Sequence, residues 1–308
     1  MVCPQNGAMS ESLKVGLCGA GVFAGYHAQK VVGHPRSDLI GVFDHNTERM
    51  QALADHHEVP AFGDWERLVA ASDALVIASP ASSHADYAIP AIAAGRHCLV
   101  EKPLATSADE AVALAEASRA AGTILQVGHQ ERVVAEAIGL PDLPARPRTI
   151  HIARHTGRTT RNLDTSVVMD LMIHDIDLLL SQYGPPDWVS TEKARAVYSG
   201  HLDVARAEMG WGAMTAYLSA SRDDEPARRW TLRFDGGTAD IDFADQTLRH
   251  DTGFDLDAGF GDRPEVKDSL AAAYARFVGA CLDGSPPLAS GDAGAAAVRV
   301  AEQIGVSS

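Results

Sequence analysis

The sequence predicts an α/β protein: an N-terminal doubly wound parallel sheet, then an α+β domain with a large, mostly antiparallel open sheet. Three observations point there. Up to about residue 128, short unbroken apolar runs alternate with helix-compatible stretches, as expected of parallel strands covered on both faces. The first run empties into a glycine turn and the second ends on an aspartate. Beyond residue 128 the alternation stops, and strand-like runs follow one another through Gly-rich and Asp-rich turns, the pattern of antiparallel pairing. The expected domains are residues 1–128 and 129–308, with a last helix at about 293–304 returning to the first domain.

Taken in order, residues 15–18 and 39–43 are the first two strands. Asn46 caps a helix running to about His57, and Asp64 caps another through Trp65, Leu68 and Val69, each offering a side-chain oxygen to a free helical N–H. A strand at 74–78 ends at Ser79-Pro80, and a helix at about 82–94 leads to a strand at 97–100 that ends at Glu101-Lys102-Pro103. Ser107 and Glu110 read as a capping box opening an alanine-rich helix, and residues 123–127 are read as a sixth strand. A proline-rich stretch at 140–147 breaks the pattern. The second domain then reads as a strand at 149–155, a long helix at about 166–183, strands at 188–198, 202–211, 214–221, 229–234 and 238–243, and helices at 266–281 and 293–304.

With 308 residues the chain has room for two substantial cores, and 46% hydrophobic and 22% charged residues are ordinary for a globular protein. A net charge of -15 argues against a nucleic-acid partner. No apolar run reaches the length of a membrane span, and residues 1–12 lack the layout of a secretory signal and read as a frayed lead-in. Cys3, Cys18, Cys98 and Cys281 are scattered without C-x-x-C spacing, so the expectation is a reduced, cytoplasmic protein with no metal site.

The richest stretch is Gly19-Ala20-Gly21-Val22-Phe23-Ala24, placed between a strand and a helix. It fits the G-x-G-x-x-G/A turn of a dinucleotide-binding Rossmann unit. Gly19 permits the tight turn, Gly21 lets backbone approach a pyrophosphate, and Ala24 lets helix and strand pack closely. The helix N-terminus, at Val22 and Phe23, supplies N–H groups to the phosphates. Asp44 closes the second strand, where a carboxylate binds both ribose hydroxyls and repels a 2′-phosphate. His45 and Asn46 follow it, and Arg49 is expected to point to solvent from the next helix. NAD is therefore expected in preference to NADP.

Ligands of open α/β sheets lie beyond the carboxyl ends of the strands, which selects Ser79, Pro80, Glu101 and Lys102, with His84 expected to line the cofactor as well. The Lys102 ammonium is expected near the nicotinamide end, bonded to a substrate oxygen. On the long helix, Asp170, His174 and Asp177 form a polar stripe at α-helical spacing. An aspartate one turn before a histidine can orient the ring and raise its pKa for proton transfer. Arg154, Arg158 and Arg161 precede that helix and are candidates to grip an anionic substrate. A structural Asp–His pair, and surface charge for the arginines, remain open alternatives at this point.

Together these residues resemble the Gfo/Idh/MocA family of NAD(P)-dependent sugar oxidoreductases. Gly19-Ala20-Gly21 matches its nucleotide turn, Glu101-Lys102-Pro103 its most distinctive motif, and Asp170-x-x-x-His174 its second-domain catalytic pair. The resemblance runs from about Leu13 to the C-terminal helix. It implies hydride transfer between a sugar hydroxyl and the nicotinamide, with His174 as general base, Lys102 stabilising the alkoxide and Asp170 orienting the pair. It also implies a homodimer or homotetramer formed through the second-domain sheet. Residues 126–132 and 167–177, Asp203-Val204-Ala205 and Ala220-Ser221-Arg222 look like a narrower sugar-nucleotide branch that includes UDP-N-acetylglucosamine 3-dehydrogenase-like proteins. Where that branch continues Glu-Arg-Phe-Asn-Pro, this chain reads Glu131-Arg132-Val133-Val134-Ala135. The rival readings are a dehydrogenase of an inositol, a free aldose or a dihydrodiol, and a non-catalytic NAD-binding sensor. The intact Lys102, Asp170 and His174 argue against the sensor.

Overall fold

A computed structural model of the chain describes residues 12–159 and 163–306. The lead-in before Ser12 and the candidate Arg161 lie outside the described residues. The first half runs β1 (Leu13–Cys18), α1 (Val22–Gly33), β2 (Ser37–Phe43), α2 (Thr47–His56), α3 (Trp65–Ala71), β3 (Ala74–Ile77), α4 (His84–Ala93), β4 (His97–Val100), α5 (Ala108–Ala121) and β5 (Leu125–Val127). Asn46, Asp64 and Ser107 each cap their helix by accepting from the backbone N–H three residues on. The strands pair in parallel in the order β2-β1-β3-β4-β5. There are five, one fewer than the sequence reading counted, because residues 123–127 supply the fifth apolar run.

Alternation along the strands divides the core. Val15, Leu17 and Val76 pack with Ala24, Ala28 and Val31 of α1 on one face, while Leu75, Ile77 and Val100 pack with Leu68, Ala88 and Leu114 on the other. Full burial of such a side chain contributes roughly 1.5–3 kcal/mol. Because β1 pairs with β2 on one side and β3 on the other, the winding direction reverses there. The reversal opens a crevice at the carboxyl ends of the strands.

The second half contains α6 (Glu131–Ile138), β6 (Thr149–His155), a π-helical turn at Val168–Met172 leading into α7 (Ile173–Tyr183), then β7 (Trp188–Ala196), β8 (Leu202–Trp211), β9 (Met214–Ser221), β10 (Ala227–Phe234), β11 (Gly237–Asp242) and β12 (Thr247–His250). The helices α8 (Pro264–Lys267), α9 (Ser269–Asp283) and α10 (Gly291–Val306) complete it. The seven strands lie in the order β12-β11-β10-β6-β9-β8-β7, antiparallel at every pairing except β6 with β9. The sequence reading missed α6 and β12.

Ile150, Ile152, Met209, Leu218, Trp230 and Leu232 form the buried face of this sheet. The same alternation aims Arg154 of β6, Arg228 of β10 and Asp203 of β8 inward, all at one end of the sheet by the strand registers. Arg222, the residue after β9, joins them. One end of an otherwise apolar face is therefore charged, and the π turn and α7 lie over the sheet. α10 packs against both α5 and α7. Tyr274, Phe277 and Val278 of α9 also join the core of the parallel sheet. No helix among the described residues is long and apolar enough to cross a membrane.

Candidate active site

The nucleotide turn forms as its residues require. Gly19 has φ +108°, and a Cβ there would lie 2.7 Å from the carbonyl oxygen of Ala78, so only glycine fits. Gly21 caps α1 with no side-chain hydrogen bond, and nothing lies within 4 Å of where its Cβ would be. The N-terminus of α1 thus faces open space with its N–H groups unclaimed by a cap, as a pyrophosphate site needs. Val22 is exposed and Phe23 half-buried beside it. Asp44 accepts from the N–H of Ala20 at 2.6 Å and of Asn46 at 2.7 Å, which fixes its carboxylate at the mouth of the turn. Arg49 is exposed on α2. The crevice past Asp44 is lined by Cys18, Gly19, Phe43, Ser79 and Pro80. Beyond His45 and Tyr87 it widens to a cleft of about 550 Å³, which leaves room for the adenosine end of a dinucleotide.

Two of the expected cofactor contacts are buried and bonded within the protein. His84 is buried, with Nδ1 2.8 Å from the oxygen of Pro103 and Nε2 3.0 Å from that of Ser79. It ties the ends of β3 and β4 together rather than lining the crevice. Glu101 is also buried, its Oε1 2.7 Å from Nε2 of His27 on α1. Burial would raise the Glu101 carboxyl, but His27 and Lys102 outweigh it and hold it below its ordinary range. A Cβ on Gly128 would meet Glu101 Oε1 at 2.7 Å, so the glycine that follows β5 leaves the space Glu101 occupies.

Lys102, half-buried after β4, reaches across to the second half of the chain. Its ammonium donates to the main-chain oxygen of Asp170 at 2.7 Å and to the Asp170 carboxylate at 3.1 Å. The other Asp170 oxygen accepts from Arg222 at 3.0 Å. Burial opposes ionisation of Asp170, yet Lys102 and Arg222 hold its carboxyl below the usual range. Arg222 donates to the oxygen of Thr165 at 2.9 Å and lies 3.8 Å from Asp203. Asp203 accepts three backbone N–H groups of the β7–β8 turn.

The expected partnership of Asp170 with His174 is replaced by another. Asp170 sits in the π turn, whose wider winding breaks the four-residue spacing that would stack it on His174. The His174 Nδ1 lies 3.3 Å from Oε1 of Glu131 instead. The pKa moves opposite to expectation: burial lowers it well below the ordinary imidazole value, with Lys102, Arg154 and His129 adding to the fall and only Glu131 opposing it. His174 is therefore neutral near pH 7, the form that accepts a proton.

Residues 13–129 match the oxidoreductase family with an NAD-binding Rossmann fold, and over 304 residues, 96% of each chain, the sequence is 34% identical to UDP-N-acetylglucosamine 3-dehydrogenase of Acidithiobacillus ferrooxidans. The chain belongs to this Gfo/Idh/MocA family. The solved structure of that dehydrogenase superposes with a TM-score of 0.87, covering 96% of this chain and 97% of the other at 34% identity. An inositol 2-dehydrogenase of Paracoccus denitrificans is 34% identical over 181 residues, 54% of this chain and 53% of its own. A Bordetella pertussis dehydrogenase solved with NADH and UDP-GlcNAcA shares the fold, with a TM-score of 0.81 at 21% identity over 96% of this chain and 95% of its own.

In this Gfo/Idh/MocA oxidoreductase the proposed substrate-binding charges are mostly committed elsewhere. Asp177 is 1% exposed and accepts two bonds from Arg132, at 2.6 and 2.8 Å. Arg154 is buried and grips Asp175 and Glu131 with four hydrogen bonds. Both are braces of the site rather than free groups. Arg158 is exposed and bonds Asp223 at 3.2 Å. Sequence reasoning gave no role to Glu131, Arg132, Asp175, Arg222 or His27. Inward alternation at 150, 152 and 154 was the available signal for Arg154. Among the described residues no group of three or more His, Cys, Asp or Glu side chains is placed to hold a metal ion.

Proposed function

We propose that this enzyme oxidises the 3-hydroxyl of UDP-N-acetylglucosamine, or of a closely related sugar nucleotide, with NAD. The reading rests on its likeness to that dehydrogenase along nearly the whole chain. The observation that carries the chemistry is Lys102, which reaches from the end of β4 to bond Asp170 twice in the turn that leads into the helix bearing His174. Bound NAD supplies the hydride acceptor at nicotinamide C4, and hydride leaves the sugar carbon as its hydroxyl becomes a ketone. His174 takes the hydroxyl proton, and the Lys102 ammonium stabilises the negative charge that grows on the oxygen. Asp170 holds Lys102. Such acid–base help is worth about 10²–10⁴-fold in rate.

Asp44 supports NAD over NADP, since its carboxylate, fixed at the mouth of the turn, repels a 2′-phosphate. The open face of the second sheet, where His151 stacks on Tyr217 at 4.8 Å, is the proposed interface of a homodimer or homotetramer. The proposed site of action is the cytoplasm. The test is to incubate the protein with NAD and, separately, UDP-N-acetylglucosamine, N-acetylglucosamine and myo-inositol, following NADH and the product mass. NADH should form with the sugar nucleotide, whose product loses two hydrogens. Turnover of myo-inositol alone would favour the inositol reading, and NAD binding without turnover of any sugar would favour a sensor.

A further inference from the structure

Glu131 is a buried carboxylate to which the reaction just described gives no task. It opens α6, and its oxygens accept from Arg154 of β6 at 2.9 and 2.6 Å and lie 2.7 Å from Arg228 of β10. Burial would raise its pKa, but Arg154, His174 and Arg228 hold it ionised far below the usual carboxylate range. Its Oε1 is 3.3 Å from Nδ1 of His174.

We propose that Glu131 is the positioning residue for His174, holding the Nδ1 edge of the imidazole so that Nε2 presents its lone pair to the substrate hydroxyl. This rests on the reaction assigned above. A neutral imidazole carries one N–H, and the nitrogen facing a carboxylate is the one that keeps it. Nδ1 is also the buried ring nitrogen, on a side chain that retains 12% exposure, and has no aligned hydrogen bond in this structure. The Glu131 oxygen 3.3 Å away is the acceptor within its reach.

A closed loop of contacts fixes the pair. Arg154 bonds Glu131 and also Asp175 at 2.7 and 3.0 Å, and Asp175 is the next residue to His174 on α7. Trp230 donates to Asp175 at 2.8 Å and completes the brace. Asp170, the other carboxylate in reach by sequence, is engaged by Lys102 and Arg222.

The groups around His174 sharpen the assignment. Lys102 beyond β4, Arg154 on β6 and His129 beyond β5, whose ring centroid is 6.4 Å away, all disfavour a positive imidazole. Arg228 on β10 reaches the same Glu131 oxygen, and Asp175 on α7 is occupied by Arg154 and Trp230. Glu131 is thus the group that makes the imidazolium formed during oxidation tolerable.

The test compares the full-length protein with its E131Q and E131D variants. Nitrogen-15 NMR of histidine-labelled protein without substrate should show His174 as the Nδ1–H tautomer, and E131Q should lose that preference and titrate at lower pH. In turnover, E131Q should lower kcat by about 10²–10⁴-fold, move the acid limb of the kcat profile downward and leave NAD affinity unchanged. E131D should restore part of the rate. An Nε2–H tautomer in the unmodified protein, which decides the matter even if E131Q fails to fold, would overturn the proposal. So would an E131Q acid limb that does not move. If the protein turns over no sugar nucleotide yet His174 shows a Glu131-dependent Nδ1–H, the positioning stands and the substrate assignment falls.

Discussion

The ammonium of Lys102 is bonded twice to Asp170, at 2.7 Å to its main-chain oxygen and at 3.1 Å to its carboxylate, although the two residues come from different sheets. One follows a strand of the parallel sheet and the other lies in a π turn over the antiparallel one. Only one of the two bonds depends on the Asp170 side chain. Replacing Lys102 with Met should lower kcat by at least about 10²-fold with NAD affinity nearly intact. Asp170→Asn, which keeps the main-chain acceptor, should cost less. Combining Lys102→Met with His174→Ala should be less than additive, because both act on one transition state. Steady-state kinetics on the unmodified protein, the three single variants and the double variant checks each point.

Cofactor choice should follow Asp44. Replacing it with Ser or Ala removes the repulsion of a 2′-phosphate, and the ratio of NADP to NAD affinity, measured by calorimetric titration, should rise. The substitution also removes the acceptor for the Ala20 and Asn46 N–H groups, so affinity for NAD should fall at the same time.

Acid should act on the enzyme in two ways. Burial lowers the pKa of His84, His129 and His174 in the folded protein. The unfolded chain, with imidazoles near 6.5, therefore binds protons that the folded chain refuses. Stability contributed by this difference is fully present above about pH 6.5 and is lost as pH falls toward the folded values. Tm should hold steady near neutrality and decline below about pH 6.5. The acid limb of kcat, set by His174, should appear at a pH below the ordinary imidazole range.

Asp177 should prove a structural residue. It is almost fully buried under two bonds from Arg132, which also donates to the oxygen of Leu288 at 3.1 Å. Removing one partner of a buried pair costs about 3–5 kcal/mol, so Asp177→Ala should lower denaturant stability by that order. Folded Asp177→Ala protein should keep its KM for the sugar nucleotide. A raised KM at unchanged stability would return Asp177 to the substrate site.

The parts of this molecule that were legible in sequence are those fixed by neighbours along the chain. Gly19, Gly21 and Asp44 are set by one strand–turn–helix unit, and Lys102 by the end of one strand, so local pattern sufficed. The partner of His174 was not legible. Four-residue spacing pointed to Asp170, but a π turn at Val168–Met172 changed the winding, and Glu131 arrives from α6 only through tertiary packing. Arg154 looks like a free charge when its strand is taken as a plain run of residues, whereas the two faces of that strand turn it inward with Ile150 and Ile152. The helix α6 escaped notice beside the break at Gly128 and the prolines at 140–147, although its apolar positions Val133, Val134, Ala137 and Ile138 lie on one face. The strand β12 is four residues long with only Leu248 buried, too little pattern to read.

The most direct measurement of the central claim is a crystal structure of the protein with NAD and UDP-N-acetylglucosamine bound together. The account predicts the 3-hydroxyl beneath the nicotinamide, within hydrogen-bond reach of both the Lys102 ammonium and the Nε2 of His174. A nicotinamide at that cleft with the sugar held elsewhere, or a reacting hydroxyl that neither residue touches, would contradict it.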